Sequence, residues 1–167
     1  MHDSSMREMT AFRDMFMNKE NPLSILDVGS MDVNGSYRKL FENPMWSYTG
    51  LDIAEGKNVD VVVGPSDWSA CTGPFNVVVS GQCAEHVKDI YQWFRNVYSM
   101  TVTGGLCCII VPWRQKEHDY PVDCWRIMPE GMRFLLEEIA GFTVVDVHKN
   151  DEGSNADYVG IGYKEIK

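Results

Sequence analysis

An acidic residue and two glycines, Asp27, Gly29 and Gly35, interrupt the stretch SILDVGSMDVNGSYRKLF at residues 24–41, and a second acid, Asp52, closes the next apolar run. Glycines directly after a buried strand let backbone amides approach a ligand, because no Cβ keeps it away. A carboxylate at the end of the following strand can accept hydrogen bonds from two ribose hydroxyls, while an Asp that simply starts a turn is the plainer reading. Together these residues are the parts of a nucleotide-cofactor site. The glycines stand six positions apart, which matches neither the G-x-G-x-x-G of dinucleotide sites nor the G-x-x-x-x-G-K-[ST] of phosphate loops. Ser36 occupies the place the phosphate-loop lysine would need. Further along, His86 and His118 can accept or hold a proton near neutral pH.

Elements able to position these groups are visible in the hydropathy pattern. Apolar runs at residues 24–28, 48–53, 59–63, 75–80 and 105–111 mostly lack the alternation of half-exposed strands and read as buried parallel strands. Helical spacing at residues 37–42, 87–100 and 129–139 fills most gaps, which predicts an α/β fold: a doubly wound, mainly parallel sheet with helices on both faces. Met6, Met9, Phe12, Phe16 and Met17 recur at helical spacing over residues 5–19, with Ser4 or Ser5 as a cap and Asn21-Pro22 as the stop. This amino-terminal helix, within residues 1–22, precedes one domain over residues 23–167. Only AEGKN separates the second and third strands, too little for a crossover helix, so a tight loop is expected there. FTVVDVHK and ADYVGIGYKE, joined by the turn-rich NDEGSN, predict a closing antiparallel hairpin that brings the sheet to seven strands.

A chain of 167 residues suffices for one domain with a proper core and is short for two. Its five cysteines are odd in number and form no C-x-x-C pair, so neither a disulfide framework nor a zinc site is indicated, and no metal is expected. A net charge of -9 weighs against nucleic acid as a partner, since such binding draws on phosphate neutralisation by Lys and Arg. The longest apolar stretch is far below membrane-spanning length, and the polar amino terminus lacks a signal peptide's apolar centre. The expectation is a cytoplasmic protein that binds no membrane.

With Asp27 two positions before Gly29, the glycine turn resembles the first motif of class I S-adenosylmethionine-dependent methyltransferases, Met31 standing where that family usually has its middle glycine. The terminal hairpin is also expected of that family and is not a feature of dinucleotide-binding sheets. The resemblance implies S-adenosylmethionine as cofactor, held by Asp27, Gly29, Ser30 and Gly35 at the turn and by Asp52 at the ribose, with Ile53 covering one face of the adenine. In the family the loop after the third strand commonly supplies an acid for the adenine amino group and an apolar neighbour for the ring. Here Asp67 and Trp68 are the candidates, the alternative being that Asp67 caps a turn and Trp68 is core. The segment FNVVVSGQCAEHV is similar to the family's fourth strand and the turn after it, which implies that Ser80, Gly81 and Gln82 line the methionine end. Glu85 and His86 then open the next helix, where the helix dipole favours a neutral imidazole acting as hydrogen bonder or base; packing against the cofactor loop is the bland alternative. The run VPWRQKEHDYPVDCWRIMPEGM resembles one branch of these enzymes. It reads as a substrate lid, with Trp113, His118 and Tyr120 facing the acceptor, Arg126 paired with Asp123, and Trp125 anchoring the helix at Pro129.

These residues imply in-line methyl transfer to a small molecule or an exposed group of a metabolite, a sugar among them, with His86 or His118 as the base if the acceptor is a hydroxyl. Without an inserted cap domain the substrate site is expected to be shallow, or else completed by the lid or by a second subunit in a homodimer. Two other readings stand beside this one. A methyltransferase-like domain that has lost catalysis and serves as a binding or regulatory subunit would account for Met31 and the missing crossover helix. A nucleotide-binding oxidoreductase is disfavoured by the glycine spacing and the hairpin.

Overall fold

The computed structural model describes residues 3–151 and 156–166. Seven strands, β1 (Leu23–Val28), β2 (Trp46–Asp52), β3 (Val61–Val62), β4 (Phe75–Gly81), β5 (Thr101–Pro112), β6 (Thr143–Asn150) and β7 (Asp157–Tyr163), form one sheet in the order β3-β2-β1-β4-β5-β7-β6. The first five pair in parallel, and β7 enters antiparallel between β5 and β6. This is the doubly wound sheet with a closing hairpin that the sequence predicts; residues 152–155 of its turn lie outside the described residues.

Alternation along the central strands divides the core into two layers. Leu26, Val28, Val78, Cys107 and Ile109 face helices α2 (Ile90–Ser99) and α3 (Pro129–Phe134), whereas Ile25, Val77, Val79, Cys108 and Ile110 face helix α1 (Asp3–Phe16). The adjacent Cys107 and Cys108 therefore serve opposite faces, both fully buried, and burial pushes both thiols up. All five cysteines are free thiols.

Helices differ from the sequence pattern where polar groups or chain length override it. Helix α1 starts before Ser4 and Ser5, so neither is a cap: the Ser4 hydroxyl donates to Asp157 Oδ2 at 2.5 Å, and the Ser5 hydroxyl bonds Tyr37. Between Gly35 and Pro44 there is room only for a single 3-10 turn, Arg38–Phe41, in place of the expected helix over 37–42. Helix α2 begins at Ile90 because the Asp89 carboxylate caps the Gln92 amide at 3.1 Å; Glu85 and His86 lie before it on a separate 3-10 turn, Ala84–His86. Helix α3 continues as a wider π turn, Leu135–Ala140, which Gly141 ends in the left-handed conformation at φ 101°. As the short spacer predicts, β2 and β3 are joined by a loop, and β3 shrinks to two residues because the amides of Val59 and Asp60 turn back to Gly56 and Gly50.

Tyr37 is the largest side chain buried without exposure, and it lies against Gly81, where a Cβ would stand 1.9 Å from its hydroxyl oxygen. Gly81→Ala should therefore lower the unfolding free energy by about 1–3 kcal/mol through overpacking. Urea denaturation measures this, and an unchanged midpoint would show that Tyr37 has room to move.

Candidate active site

Strands β1 and β4 are neighbours, yet the chain leaves β1 toward β2 and leaves β4 toward β5. That reversal opens a crevice at the carboxyl ends of the strands, where ligands bind in sheets of this kind. Two left-handed residues stand at its lips, Gly29 at φ 77° and Gln82 at φ 57°. The Gly29 amide donates to the Leu51 carbonyl at 2.9 Å, and a Cβ there would meet Cys83 Sγ at 2.4 Å. The first glycine thus lets the loops after β1 and β4 interlock. Gly35, at φ 117°, donates to Asp32 Oδ1 at 2.8 Å, and Asp32 pairs with Lys57 at 2.5 Å. Ser30 and Asn58 exchange two hydrogen bonds, 3.1 Å from the serine hydroxyl to the Asn58 carbonyl and 2.8 Å from the Asn58 amide to the Ser30 carbonyl. The helix-free loop after β2 is thereby latched to the glycine turn.

Asp52, half-buried at the tip of β2, accepts the Met31 amide at 3.0 Å on one carboxylate oxygen and the Ile53 amide at 2.7 Å on the other. Each oxygen keeps a free lone pair, so the group can still take two hydroxyls. Ile53 beside it is 53% exposed, an apolar surface at the crevice edge. Among the other sequence candidates, several serve the fold. The Ser80 hydroxyl is buried and donates to the Val28 carbonyl at 2.7 Å, and the Gln82 side chain donates to Asp157 Oδ1 at 2.9 Å. Trp68 is 4% exposed and meets Trp93 edge-on at 6.2 Å, so it offers no free ring face. Asp67 caps a turn at the Ser69 amide, at 3.0 Å, and that bond holds its carboxyl below the usual value.

Asp27 is buried, with Tyr48 donating to its carboxylate. Burial pushes the carboxyl up to about 7, opposed by the Tyr48 hydrogen bond and the Arg38 charge and reinforced by Asp52. Tyr48 in turn receives the Asn58 side chain at 3.2 Å, and Arg38 lies 4.4 Å over its ring while pairing with Asp60 at 2.5 Å.

A second group of side chains gathers just beyond Gln82. The rings of His86 and His118 meet edge-on at 4.9 Å, and Tyr120 lies 6.2 Å from each. His86 Nδ1 is 2.6 Å from the Val122 carbonyl, which makes Nδ1 the protonated nitrogen and leaves the Nε2 lone pair free. Burial holds this imidazole below its ordinary value, so the neutral form is favoured by desolvation and not, as expected from the sequence, by a helix terminus. Glu85 is fully buried, and among the described residues neither carboxylate oxygen has a hydrogen-bond partner. Burial pushes its carboxyl up to about 8, with weaker opposing pulls from its own backbone amide and from Arg126.

Residues 113–128 roof this group without regular structure. The Glu85 carbonyl accepts the Cys124 amide at 2.7 Å and the Trp125 amide at 3.2 Å, while the Trp125 indole donates to the Val87 carbonyl at 2.7 Å. Within the roof, Asp123 takes two bonds from Arg126, at 2.5 and 2.7 Å, and the His118 amide at 2.9 Å. The Arg126 pairing holds its carboxyl well below the usual range. Trp125 thus anchors the roof at the turn before α2, not the helix at Pro129. Trp113 packs on Tyr158 at 5.9 Å with Lys149 Nζ 3.9 Å above its ring. A cavity of about 580 Å³ bordered by Arg38, Pro44, Trp46 and Tyr48 lies at the amino-terminal half of β2, and His86, His118 and Tyr120 do not line it.

A family model described as a methyltransferase domain matches residues 3–145. The chain belongs to that family. It is a class I S-adenosylmethionine-dependent methyltransferase, in agreement with the sheet order and the crevice at β1 and β4. No curated protein matches its sequence. Solved structures resemble the methyltransferase in fold at low identity. One is 1,6-didemethyltoxoflavin-N1-methyltransferase from Burkholderia thailandensis with bound 1,6-didemethyltoxoflavin and S-adenosylhomocysteine, at 16% identity and TM-score 0.67, covering 98% of this chain and 80% of that one. Another is the N-terminal domain of EvdMO1 in the presence of S-adenosylhomocysteine and D-fucose, at 18% identity and TM-score 0.71, covering 98% and 84%. A third, the [4+2]-cyclase SpnF, has 12% identity and TM-score 0.74 over 96% and 80%, so the fold also carries other chemistry.

Sequence reasoning passed over Asp157, Tyr48 and Cys83. Asp157 and Tyr48 read as ordinary strand residues, and only the pairing of Pro112 with Asp157 and of Asp27 with Gly50 brings them to the crevice. In the fold, Asp27 holds its proton more tightly than in the unfolded chain, about 7 against 3.8, so it erodes stability as pH rises through that interval. Asp27→Asn should gain on the wild type by a few kcal/mol between about pH 4 and 8, with Glu85 contributing a slope of the same sign to both proteins. Urea denaturation across that range checks this, and parallel profiles would refute it.

Proposed function

We propose that the methyltransferase acts on an exposed hydroxyl or amine of a small molecule, a sugar among the classes that fit, at the cluster formed by His86, His118 and Tyr120. The observation that carries this reading is the neutral, half-buried His86, four residues past Gln82, with its Nε2 lone pair free and two aromatic side chains of the roof beside it. The resident ligands of the toxoflavin methyltransferase and of EvdMO1, a heterocycle and a sugar, support an acceptor of this size. A net charge of -9 favours it over a polyanion.

The residues present fit the cofactor at the crevice. Asp52 would hold the ribose hydroxyls through its two free lone pairs, Ile53 would cover the adenine, and the backbone at Gly29–Met31 and Gly81–Gln82 would border the methionine end. When bound, the cofactor supplies an electrophilic methyl group on a sulfonium sulfur. The chain's own task is orientation, which can lower a barrier by about 7–11 kcal/mol, and removal of a proton from a hydroxyl acceptor. His86 and His118 would handle that proton, with the roof residues Tyr120 and Val122 beside them. Residues 113–128 are tied to Glu85 within the same chain, which supports closure of the acceptor site by the lid rather than by a second subunit.

Loss of two charge-assisted hydrogen bonds should weaken cofactor binding by at least tenfold in Asp52→Ala, at about 1.5–3 kcal/mol each. Calorimetric titration with S-adenosylhomocysteine measures it, and wild-type affinity in the variant would remove Asp52 from the site. Asp123→Ala unties Arg126 and His118, so acceptor turnover should fall at least tenfold with cofactor affinity unchanged. The assay is S-adenosylhomocysteine release over a panel of sugars, nucleosides and phenols. A wild-type protein that binds the cofactor and methylates none of them would overturn the small-molecule reading.

A further inference from the structure

The sequence shows no metal-ligand spacing, because Glu85-His86 and His118 lie in different segments. The fold brings them together: one donor atom from each of Glu85, His86 and His118 lies within 4.8 Å of the others. His86 Nε2 already stands 3.6 Å from Glu85 Oε1. A four-coordinate ion with bonds of about 2.1 Å needs neighbouring donors about 3.4 Å apart, so two of the three are nearly in place. The third, on the roof, lies within 4.8 Å and must approach to complete the set.

Two features separate this cluster from a chance meeting of polar groups. First, Glu85 is fully buried, its carboxylate oxygens have no partner among the described residues, and one of them is aimed at a free imidazole lone pair. A buried orphan carboxylate costs stability unless something pairs with it. Second, both imidazoles are oriented as metal ligands are, with the outer nitrogen held by the protein. His86 Nδ1 meets the Val122 carbonyl at 2.6 Å, and His118 Nδ1 is 3.1 Å from the Lys116 carbonyl and 3.3 Å from Asp123 Oδ2. Each Nε2 is then the available donor atom. The Arg126 guanidinium is committed to Asp123.

We propose that Glu85, His86 and His118 bind one first-row divalent cation, zinc or manganese in type, which leaves open positions toward the acceptor. Two imidazoles and one carboxylate select such ions over magnesium. The side chains of His86 and His118 are 13% and 26% exposed, so entry is from beneath the roof. The role of the ion rests on the methyl-transfer reading above. An acceptor hydroxyl bound through its oxygen loses its proton to water more readily, the oxygen lone pair forms the new bond to carbon, and the carbon–sulfur electron pair stays on sulfur. In this form the two histidines act as ligands and no side-chain base is needed.

The test is titration of chelator-treated protein with Co²⁺, followed by visible absorption, and with Zn²⁺, followed by calorimetry. One ion per chain is expected at micromolar affinity or tighter, weakened at least tenfold in His118→Ala and in Glu85→Gln. His118→Ala lies in the roof, outside the helices and strands, and its far-ultraviolet circular dichroism should match the wild type. S-adenosylhomocysteine affinity should not change in that variant. Binding weaker than micromolar in the wild type overturns the proposal. So does affinity that His118→Ala leaves unchanged, or a cobalt spectrum dominated by sulfur-to-metal charge transfer from the free thiols. Ion binding is read without the cofactor, so failure of the cofactor to bind would count against the methyl-transfer reading alone.

Discussion

The Asp157 carboxylate joins parts of the chain that share no stretch of sequence. It is fully buried at the start of β7, and it accepts the Ser4 hydroxyl from α1 and the Gln82 amide from the loop after β4. Gln82 is a non-glycine residue in the left-handed region, a conformation that persists only when its surroundings hold it. Asp157 supplies that hold. The hydrogen bonds fix the direction in which the chain leaves β4, and with it the position of Glu85 and His86, three and four residues later. They also dock the amino-terminal helix over the same end of the sheet, where Ser5 meets Tyr37 and Tyr37 fills the space that Gly81 leaves open.

On the other side of the crevice, polar latches do what helices commonly do in this fold. The connections after β1 and β2 contain one 3-10 turn and no α-helix. Ser30 with Asn58, Asp32 with Lys57, and Arg38 with Asp60 hold these connections to each other and keep the Asp52 carboxylate facing outward. The exposed pairs contribute little stability individually, about 0–1 kcal/mol each. Their effect is to restrict geometry, and the buried Asp27–Tyr48 bond beneath them does the same from inside the sheet.

Strand positions and their mainly parallel pairing were legible because runs such as Val77–Val79 and Ile109–Val111 must be buried on both faces, a demand that leaves a plain mark in composition. The short second crossover was legible for an arithmetic reason, since five residues cannot return a helix. Boundaries set by partners far away in the chain were not. Ser4 and Ser5 look like caps until β7 and Tyr37 are placed beside them, and a helix over 37–42 looks adequate until Pro44 limits its length. Asp52 with Ile53 could be placed from position alone, because the end of β2 is a fixed point of the topology. Trp68 and Trp113 could not: an aromatic residue in a loop reads the same whether it lines a ligand or, as here, packs on Trp93 or Tyr158.

The anchoring of the roof has a consequence for the rhythm of the reaction. The backbone carbonyl that tethers Cys124 and Trp125 belongs to Glu85, the residue whose carboxylate sits in the cluster, and Val122 in the same roof fixes the tautomer of His86. If acceptor enters at the cluster as proposed, lifting the roof to exchange product for fresh acceptor would loosen the orienting bonds of the groups below, and lowering it would restore them. Access and readiness are two settings of one mechanical part. The pace of turnover in such an arrangement would follow how often a handful of backbone hydrogen bonds break and re-form, which would tie the enzyme's tempo to the local stability of a loop.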